Sequence, residues 1–263
     1  MRIRLCPVGY LGGRIEPFES HRSETVMLYA RQGVPTAHIA RSKLENTMEA
    51  RQMTHPGMPR LNEPAPDFDA KTSQGRRSLD DYKGRWLVLF SHPADFTPVC
   101  TTEFIAFAKA AAEFEKRGCD LLGLSIDSYY AHVAWIRNIK EKFDVDIPFP
   151  IIEDLSMTVA HAYGMIQPGA SDTSAVRATF LIDPEGILRA MVYYPMSNGR
   201  SVDEILRLLI AMQTSDEHGI ATPENWHFGD KVIVPPPQTA AAAETRIGEG
   251  YEYVDWYFSK RAL

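Results

Sequence analysis

Cysteine is scarce in this chain: there are 3 in 263 residues, Cys6, Cys100 and Cys119. They are too few and too widely spaced for a disulfide framework, and no C-x-x-C pair exists to hold a metal or act as a dithiol. A reducing, cytoplasmic setting is the expectation that follows. Long apolar runs are also lacking, since none approaches the roughly 20 residues that a membrane-spanning helix needs. Neither sign of charge dominates: 28 Lys and Arg against 34 Asp and Glu give a net charge of −6, with both signs mixed along the chain. That pattern offers no nucleic-acid footprint. The histidines are too scattered to suggest a metal site, so neither metal nor other cofactor is expected. Apolar periodicity is weak in the first 58 residues, where Arg2, Arg4, Arg14, Arg22, Arg31, Arg41 and Arg51 alternate with Glu16, Glu19, Glu24, Glu45 and Glu49. No apolar stretch follows the first arginines as in a secretory signal, and the acidic residues argue against a transit peptide. Residues 1–58 therefore read as a poorly ordered N-terminal extension, and Cys6 within it is assigned no function.

From Leu61 the chain takes on domain-like patterning. A strand pair is expected over residues 67–70 and 76–79, then a fully buried strand over 86–91. A helix carrying 103–116 follows, then a strand from Cys119 to Ile126. Strand, helix and strand in that order predict two parallel neighbours. Further on, the pattern predicts a helix over 128–141 capped by Asp127 or Ser128, and a short strand over 149–152. A helix follows from Ser156 to about Tyr163, closed by Gly164. Residues 176–183 and 187–194 read as a hairpin around Pro184-Glu-Gly186. Ser201 with Glu204 three residues later reads as a capping box opening a helix to Gln213. Crossovers with a terminal hairpin imply a mixed sheet with helices on both faces. The domain is expected to span 61–215. Residues 216–263 are Pro-punctuated and aromatic, a tail expected to pack on something other than itself.

The chemistry concentrates after the strand at 86–91. Ser91-His-Pro-Ala-Asp-Phe-Thr-Pro-Val-Cys100 puts a cysteine in the first turn of a helix. Unpaired N–H groups and the helix macrodipole favour negative charge there, and the thiolate is the reactive form of a thiol. A buried Cys is equally at home as a small hydrophobe, so position alone leaves both readings open. Thr97 is placed to turn its hydroxyl toward the sulfur. Arg177 lies in a strand that otherwise reads as buried, where an unpaired guanidinium is costly. Glu103 is an acid suited to the first helical turn, and it can also orient an arginine through paired hydrogen bonds. His92, at the end of a strand, fits a structural or a proton-transfer role. Cys119, opening a strand, reads as core.

Pro93-x-x-x-Thr97-x-x-Cys100 resembles the active-site motif of the peroxiredoxins. The full stretch from Ser91 to Phe104 is similar to the branch that includes one-cysteine peroxiredoxins. The resemblance runs from about Pro64 to the C-terminus. It implies a thioredoxin-like fold and a thiol peroxidase that reduces hydrogen peroxide and organic hydroperoxides through a sulfenic acid on Cys100. It assigns Cys100, Thr97, Pro93 and Arg177 to catalysis, with Arg200, Glu103 and His92 in supporting places. It further implies a tail at 216–263 that crosses onto the partner of a homodimer, alone or in a ring of dimers, and an external thiol or thiol protein as reductant. Two departures stand out. The serine that carries a lipase-like activity in mammalian members has no counterpart in Lys83-Gly-Arg-Trp-Leu87, so that activity is not expected. Tyr253 and Ser259 occupy the positions of tail cysteines in archaeal members. Two other readings stay in view: a disulfide oxidoreductase, disfavoured by the lack of a second cysteine within a turn of Cys100, and a peroxide sensor or holdase switched by the oxidised thiol.

Overall fold

A computed structural model describes residues 58–171 and 173–263. The expected extension, apart from Met58, lies outside the described residues, and Cys6 lies outside with it. The chain builds strands β1 (Asp69–Thr72), β2 (Gly75–Ser78) and β3 (Trp86–Ser91), then helix α1 (Pro98–Lys116) and strand β4 (Cys119–Ser125). Helix α2 (Tyr129–Phe143), strand β5 (Ile151–Glu153) and the short helix α3 (Thr158–Ala162) come next. Strands β6 (Arg177–Ile182) and β7 (Leu188–Tyr194) form the hairpin, and α4 (Val202–His218) closes the domain.

These strands make one seven-stranded mixed sheet in the order β2-β1-β5-β4-β3-β6-β7. Strand β3 lies inside it, parallel to β4 and antiparallel to β6. Both faces of β3 are buried, which explains why its sequence is continuously apolar rather than alternating. Leu87 and Leu89 point into a core with Val159 and Tyr163 beside α3, while Val88 and Phe90 point into another with Phe104, Trp135 and Leu209 from α1, α2 and α4. Helices therefore cover both faces, in a thioredoxin-like arrangement.

The expected caps are present at some helix termini and altered at others. Ser128 caps α2, accepting from the Ala131 amide, and Gly164 follows α3 with φ +65°. Ser156 Oγ accepts from the Thr158 amide at the start of α3, but at 3.4 Å, and the buried Asp154 carboxylate makes the closer cap, accepting from the Val159 and Ala160 amides at 3.2 and 2.6 Å. Ser201 accepts from the Glu204 amide, but the Glu204 carboxylate turns to Arg207, so the reciprocal half of the expected capping box is missing. Helix α4 also runs on to His218, past the expected end at Gln213, so residue 216 lies within a helix.

Beyond α4, strands β8 (Val232–Val234), β9 (Glu252–Asp255) and β10 (Phe258–Arg261) form a small sheet in the order β8-β10-β9, with helix α5 (Ala240–Thr245) between β8 and β9. Trp226 shows where one part of this tail packs, on α4 of its own chain. It is 1% exposed, clustered with Ala211, Ile220 and Val232, and its carbonyl accepts from Arg207 on α4. Further along, Ile247, Val254, Trp256 and Tyr257 remain exposed. Tyr253 and Ser259 face each other as paired residues of β9 and β10. No helix among the described residues is long and apolar enough to cross a membrane.

Because Trp226 fills a pocket on its own domain, Trp226→Ala should cost about 3–5 kcal/mol of stability, as loss of a buried aromatic does. Chemical denaturation at several protein concentrations checks this. A change below about 1 kcal/mol would show that the Trp226 packing matters little.

Candidate active site

The site forms where β3 ends and α1 begins. The Ser91 hydroxyl donates to the Val176 carbonyl at 2.6 Å and accepts from the Ala178 amide at 3.1 Å. This pair of bonds clamps the end of β3 to the start of β6 and brackets Arg177. The chain then runs through buried Pro93 and turns at Phe96, which is 56% exposed and adopts a left-handed conformation at φ +55°. A non-glycine residue held there stores roughly 1–3 kcal/mol of strain, a feature that commonly marks functional loops. Thr97 in extended conformation precedes the helix, and Pro98 opens it, where a missing N–H costs nothing. Cys100 thus sits in the first turn of α1, wholly buried and free.

Arg177 reaches the sulfur: its Nη1 lies 3.3 Å from Cys100 Sγ. The same nitrogen donates to Glu103 Oε2 at 2.6 Å, while Nε and Nη2 donate to the Met196 carbonyl at 2.9 and 2.8 Å. Every face of the guanidinium is therefore fixed, which allows this cation to be 2% exposed. Arg200 lies beneath rather than against the sulfur. Its backbone N–H and Nε donate to Glu103 Oε1 at 2.7 and 2.8 Å, its Nη2 to Oε2 at 2.9 Å, and its Nη1 to the Ala178 carbonyl at 2.9 Å. Phe90 and Phe107 stack under its guanidinium at 5.4 and 5.8 Å.

Glu103 joins the two arginines. Burial alone would push its carboxyl up, but the Arg200 hydrogen bonds and charge, with the charge of Arg177, outweigh burial and hold it below the ordinary carboxylate range. The Thr97 hydroxyl departs from expectation. It donates to the Ala94 carbonyl at 2.8 Å, bracing the loop, and makes no hydrogen bond to the sulfur.

His92 belongs to a group that sequence reasoning missed. Its Nε2 lies 2.8 Å from Asp95 Oδ1, and the other oxygen of Asp95 lies 2.8 Å from His132 Nδ1. All three side chains are buried. Burial holds the His92 imidazole below its ordinary value in spite of Asp95. Burial also acts to raise Asp95, yet the His132 and His92 hydrogen bonds outweigh it and the carboxyl ends lowered. Asp95 and His132 lie far apart in sequence, so only the hydrogen-bonding types within the loop could have hinted at the chain. His92, Asp95 and Asp127 also bring ligand-type atoms within 4.8 Å of one another, an approach the scattered spacing did not suggest.

Cys119 is placed as core. It opens β4 opposite Trp86, whereas the active-site end of β3, Ser91, pairs with Leu124. Five residue steps along the strand separate the two ends, about 17 Å at the usual rise. Burial pushes the Cys119 thiol strongly up, which keeps it protonated and inert.

A buried cysteine free of any disulfide at a helix start, with an arginine held on its sulfur, defines a thiol-dependent enzyme on a thioredoxin-like frame. The chain belongs to the peroxiredoxins, the thiol-dependent peroxidases. Residues 61–191 match the AhpC/TSA family and residues 211–250 match the C-terminal domain of 1-Cys peroxiredoxin. A peroxiredoxin of Aquifex aeolicus is 56% identical over 217 residues, covering 78% of this chain and 98% of its own. One from Methanosarcina mazei is 50% identical over 210 residues, covering 76% and 96%. The solved structure of a yeast mitochondrial 1-Cys peroxiredoxin is 40% identical with a TM-score of 0.70, covering 78% of this chain and all (100%) of that one.

The Glu103 environment carries a pH signature. Its folded carboxyl is held below the ordinary value of 4.5, so its stabilising contribution is complete above that pH and is lost as pH falls through the lower folded value. Glu103→Gln should destabilise the fold near neutrality by about 3–5 kcal/mol, because two buried arginines lose their counter-charge. The gap between wild type and variant should narrow below about pH 4.5. Denaturation curves from pH 3 to 7 check this, and a pH-independent gap would contradict it.

Proposed function

We propose that the chain reduces hydrogen peroxide and organic hydroperoxides at Cys100 and works with this one cysteine. The observation that carries the reading is the 3.3 Å contact between Arg177 Nη1 and the buried Cys100 Sγ. The thiolate attacks the terminal oxygen of the hydroperoxide. An S–O bond forms, the O–O bond breaks, and the departing alkoxide or hydroxide takes up a proton, leaving a sulfenic acid on Cys100. Arg177 stabilises the anionic sulfur and the charge developing on the leaving oxygen. Pro93 shields the sulfur from water, and Thr97 has an oxygen lone pair free to accept from the arriving peroxide while its own proton stays on Ala94. Arg200 and Glu103 act through Arg177, and His92 lines the site.

The oxidised cysteine is reset from outside. Cys119 is too far away and too buried for a disulfide, which needs Cα atoms within about 7 Å. Tyr253 and Ser259 offer no sulfur. For the yeast mitochondrial relative, a thiol resolving mechanism via glutathione and thioredoxin systems has been described. An external small thiol or thiol protein is the reductant this reading supplies here. The exposed Val254, Trp256 and Tyr257 support a homodimer formed through the distal tail.

Cys100→Ser should abolish turnover with the fold intact, and Cys119→Ser should leave turnover unchanged. Intact mass after peroxide without thiol should rise by one oxygen and then by a second, with no disulfide. Excess thiol should restore repeated turnover. Activity in Cys100→Ser, or an internal bridge lost in Cys119→Ser, would overturn the mechanism, and a single reaction that excess thiol fails to renew would favour a sensor.

A further inference from the structure

Asparagine is a chemically labile residue, and how labile depends on the residue that follows it. Among Asn46, Asn62, Asn138, Asn198 and Asn225, Asn198 alone precedes a glycine. Glycine has no Cβ to keep its amide nitrogen away from the asparagine side chain. Both Asn198 and Gly199 are exposed, in the loop 195–200 that joins β7 to α4. The Asn198 amide closes a turn by donating to the Pro195 carbonyl at 3.1 Å, whereas the Gly199 amide has no hydrogen-bond partner among the described residues. Ser197 Oγ donates to Asn198 Oδ1 at 2.8 Å, which draws electron density from the side-chain carbonyl and opens its carbon to attack.

The same loop steadies the cation at Cys100. It leaves β7 at Tyr194, the residue that pairs with Arg177 across the hairpin. Two residues on, the Met196 carbonyl accepts from Arg177 Nε and Nη2 at 2.9 and 2.8 Å. At the other end, the Arg200 amide donates to Glu103 Oε1 at 2.7 Å, and Ser201 caps α4. Asn198 lies midway between Met196 and Arg200. The two anchors are unequal. Arg200 is buried and tied by its amide and three side-chain nitrogens to Glu103 and the Ala178 carbonyl. Met196 is half-buried, and its only hydrogen bonds among the described residues are those to Arg177.

We propose that Asn198-Gly199 is a deamidation site, and that its isoaspartate product pulls the Met196 carbonyl off Arg177 and slows the reaction at Cys100. The Gly199 nitrogen attacks Cγ of Asn198. A C–N bond forms, the bond to the side-chain nitrogen breaks, and ammonia departs with the Gly199 amide proton, leaving a cyclic succinimide. Water opens that ring at either carbonyl, to aspartate or to isoaspartate. One water is consumed and one ammonia released, and nothing is oxidised or reduced. Isoaspartate carries the main chain through Cβ and so inserts one more C–C bond, about 1.5 Å, between the two anchors. The looser anchor gives way, and that is the Met196 carbonyl. A misplacement of about 1 Å can cost on the order of 100-fold in rate. The effect on rate rests on the proposed reaction at Cys100; the deamidation itself does not.

Two measurements on the full chain test this. The first ages the protein at mildly alkaline pH with excess thiol, to keep Cys100 reduced, and maps its peptides by mass spectrometry and enzymatic isoaspartyl methylation. Isoaspartate should accumulate at Asn198 ahead of Asn62, Asn138 and Asn225. An Asn198 that stays an amide would overturn the assignment, whether or not the enzyme turns over. The second follows oxidation of Cys100 by hydrogen peroxide in the aged sample by stopped-flow. A phase at least about tenfold slower should appear, with an amplitude equal to the isoaspartyl fraction. Aged Asn198→Gln should lack that phase. Fresh Asn198→Asp, which adds the charge without the extra bond, should react at the wild-type rate. A single fast phase in aged wild type, or the same slow phase in aged Asn198→Gln, would refute the link to Arg177. An equal loss in Asn198→Asp would refute the lengthened chain as its cause. If fresh wild type gave no oxidation of Cys100, the peroxidase reading would fail, while the isoaspartate map would still decide the modification.

Discussion

One carboxylate holds this active site together. Glu103 accepts hydrogen bonds from Arg177 and Arg200 within a pocket where it is 2% exposed. Two guanidinium groups buried side by side would repel each other, and neither could be desolvated alone. The carboxylate makes both tolerable and fixes where each one points. Arg200 is spent as a brace, with its donors taken by Glu103 and the β6 backbone. Arg177 is left with one nitrogen directed at both Glu103 and the sulfur. The reactive geometry at Cys100 is therefore set from the next turn of α1, by a residue that does not touch the sulfur.

The frame exists to bring three distant stretches to this point. Strand β3 delivers the loop 91–97, α1 delivers Cys100 and Glu103, and β6 delivers Arg177 as the antiparallel neighbour of β3. The Ser91 hydroxyl locks the register between β3 and β6 where it matters, because it bonds residues 176 and 178. A slip of one residue would turn Arg177 to the other face of the sheet and away from the thiol. Below the site, Phe90, Phe104 and Phe107 exclude water and leave the polar groups only one another as partners.

Much of this could be read before any coordinates. Strand β3 was legible because a strand buried on both faces is an unbroken apolar run, and Cys100 because a cysteine at a helix start is chemically marked. Arg177 stood out as a charge in an otherwise apolar strand. What escaped was whatever depends on contacts between remote residues. Asp154 takes the larger share of capping α3 from Ser156 because a carboxylate two residues upstream reaches two amides at once. Trp226 packs on its own α4, although an aromatic tail read in isolation has no visible place to bury itself. The His92–Asp95–His132 chain links a loop to the middle of a helix, and no local pattern records such a pairing. Thr97 donates to the nearby Ala94 carbonyl, a local competitor for its proton that the motif does not record.

The most direct test of the account is the second-order rate constant for hydrogen peroxide with reduced Cys100 in Glu103→Gln, measured by stopped-flow on the folded protein at pH 7. If the carboxylate sets the position of Arg177 on the sulfur, the rate should fall by at least about tenfold, comparable to the loss in Arg177→Ala, because a small displacement of a catalytic cation is costly. A folded Glu103→Gln protein that reacts at the wild-type rate would contradict the account.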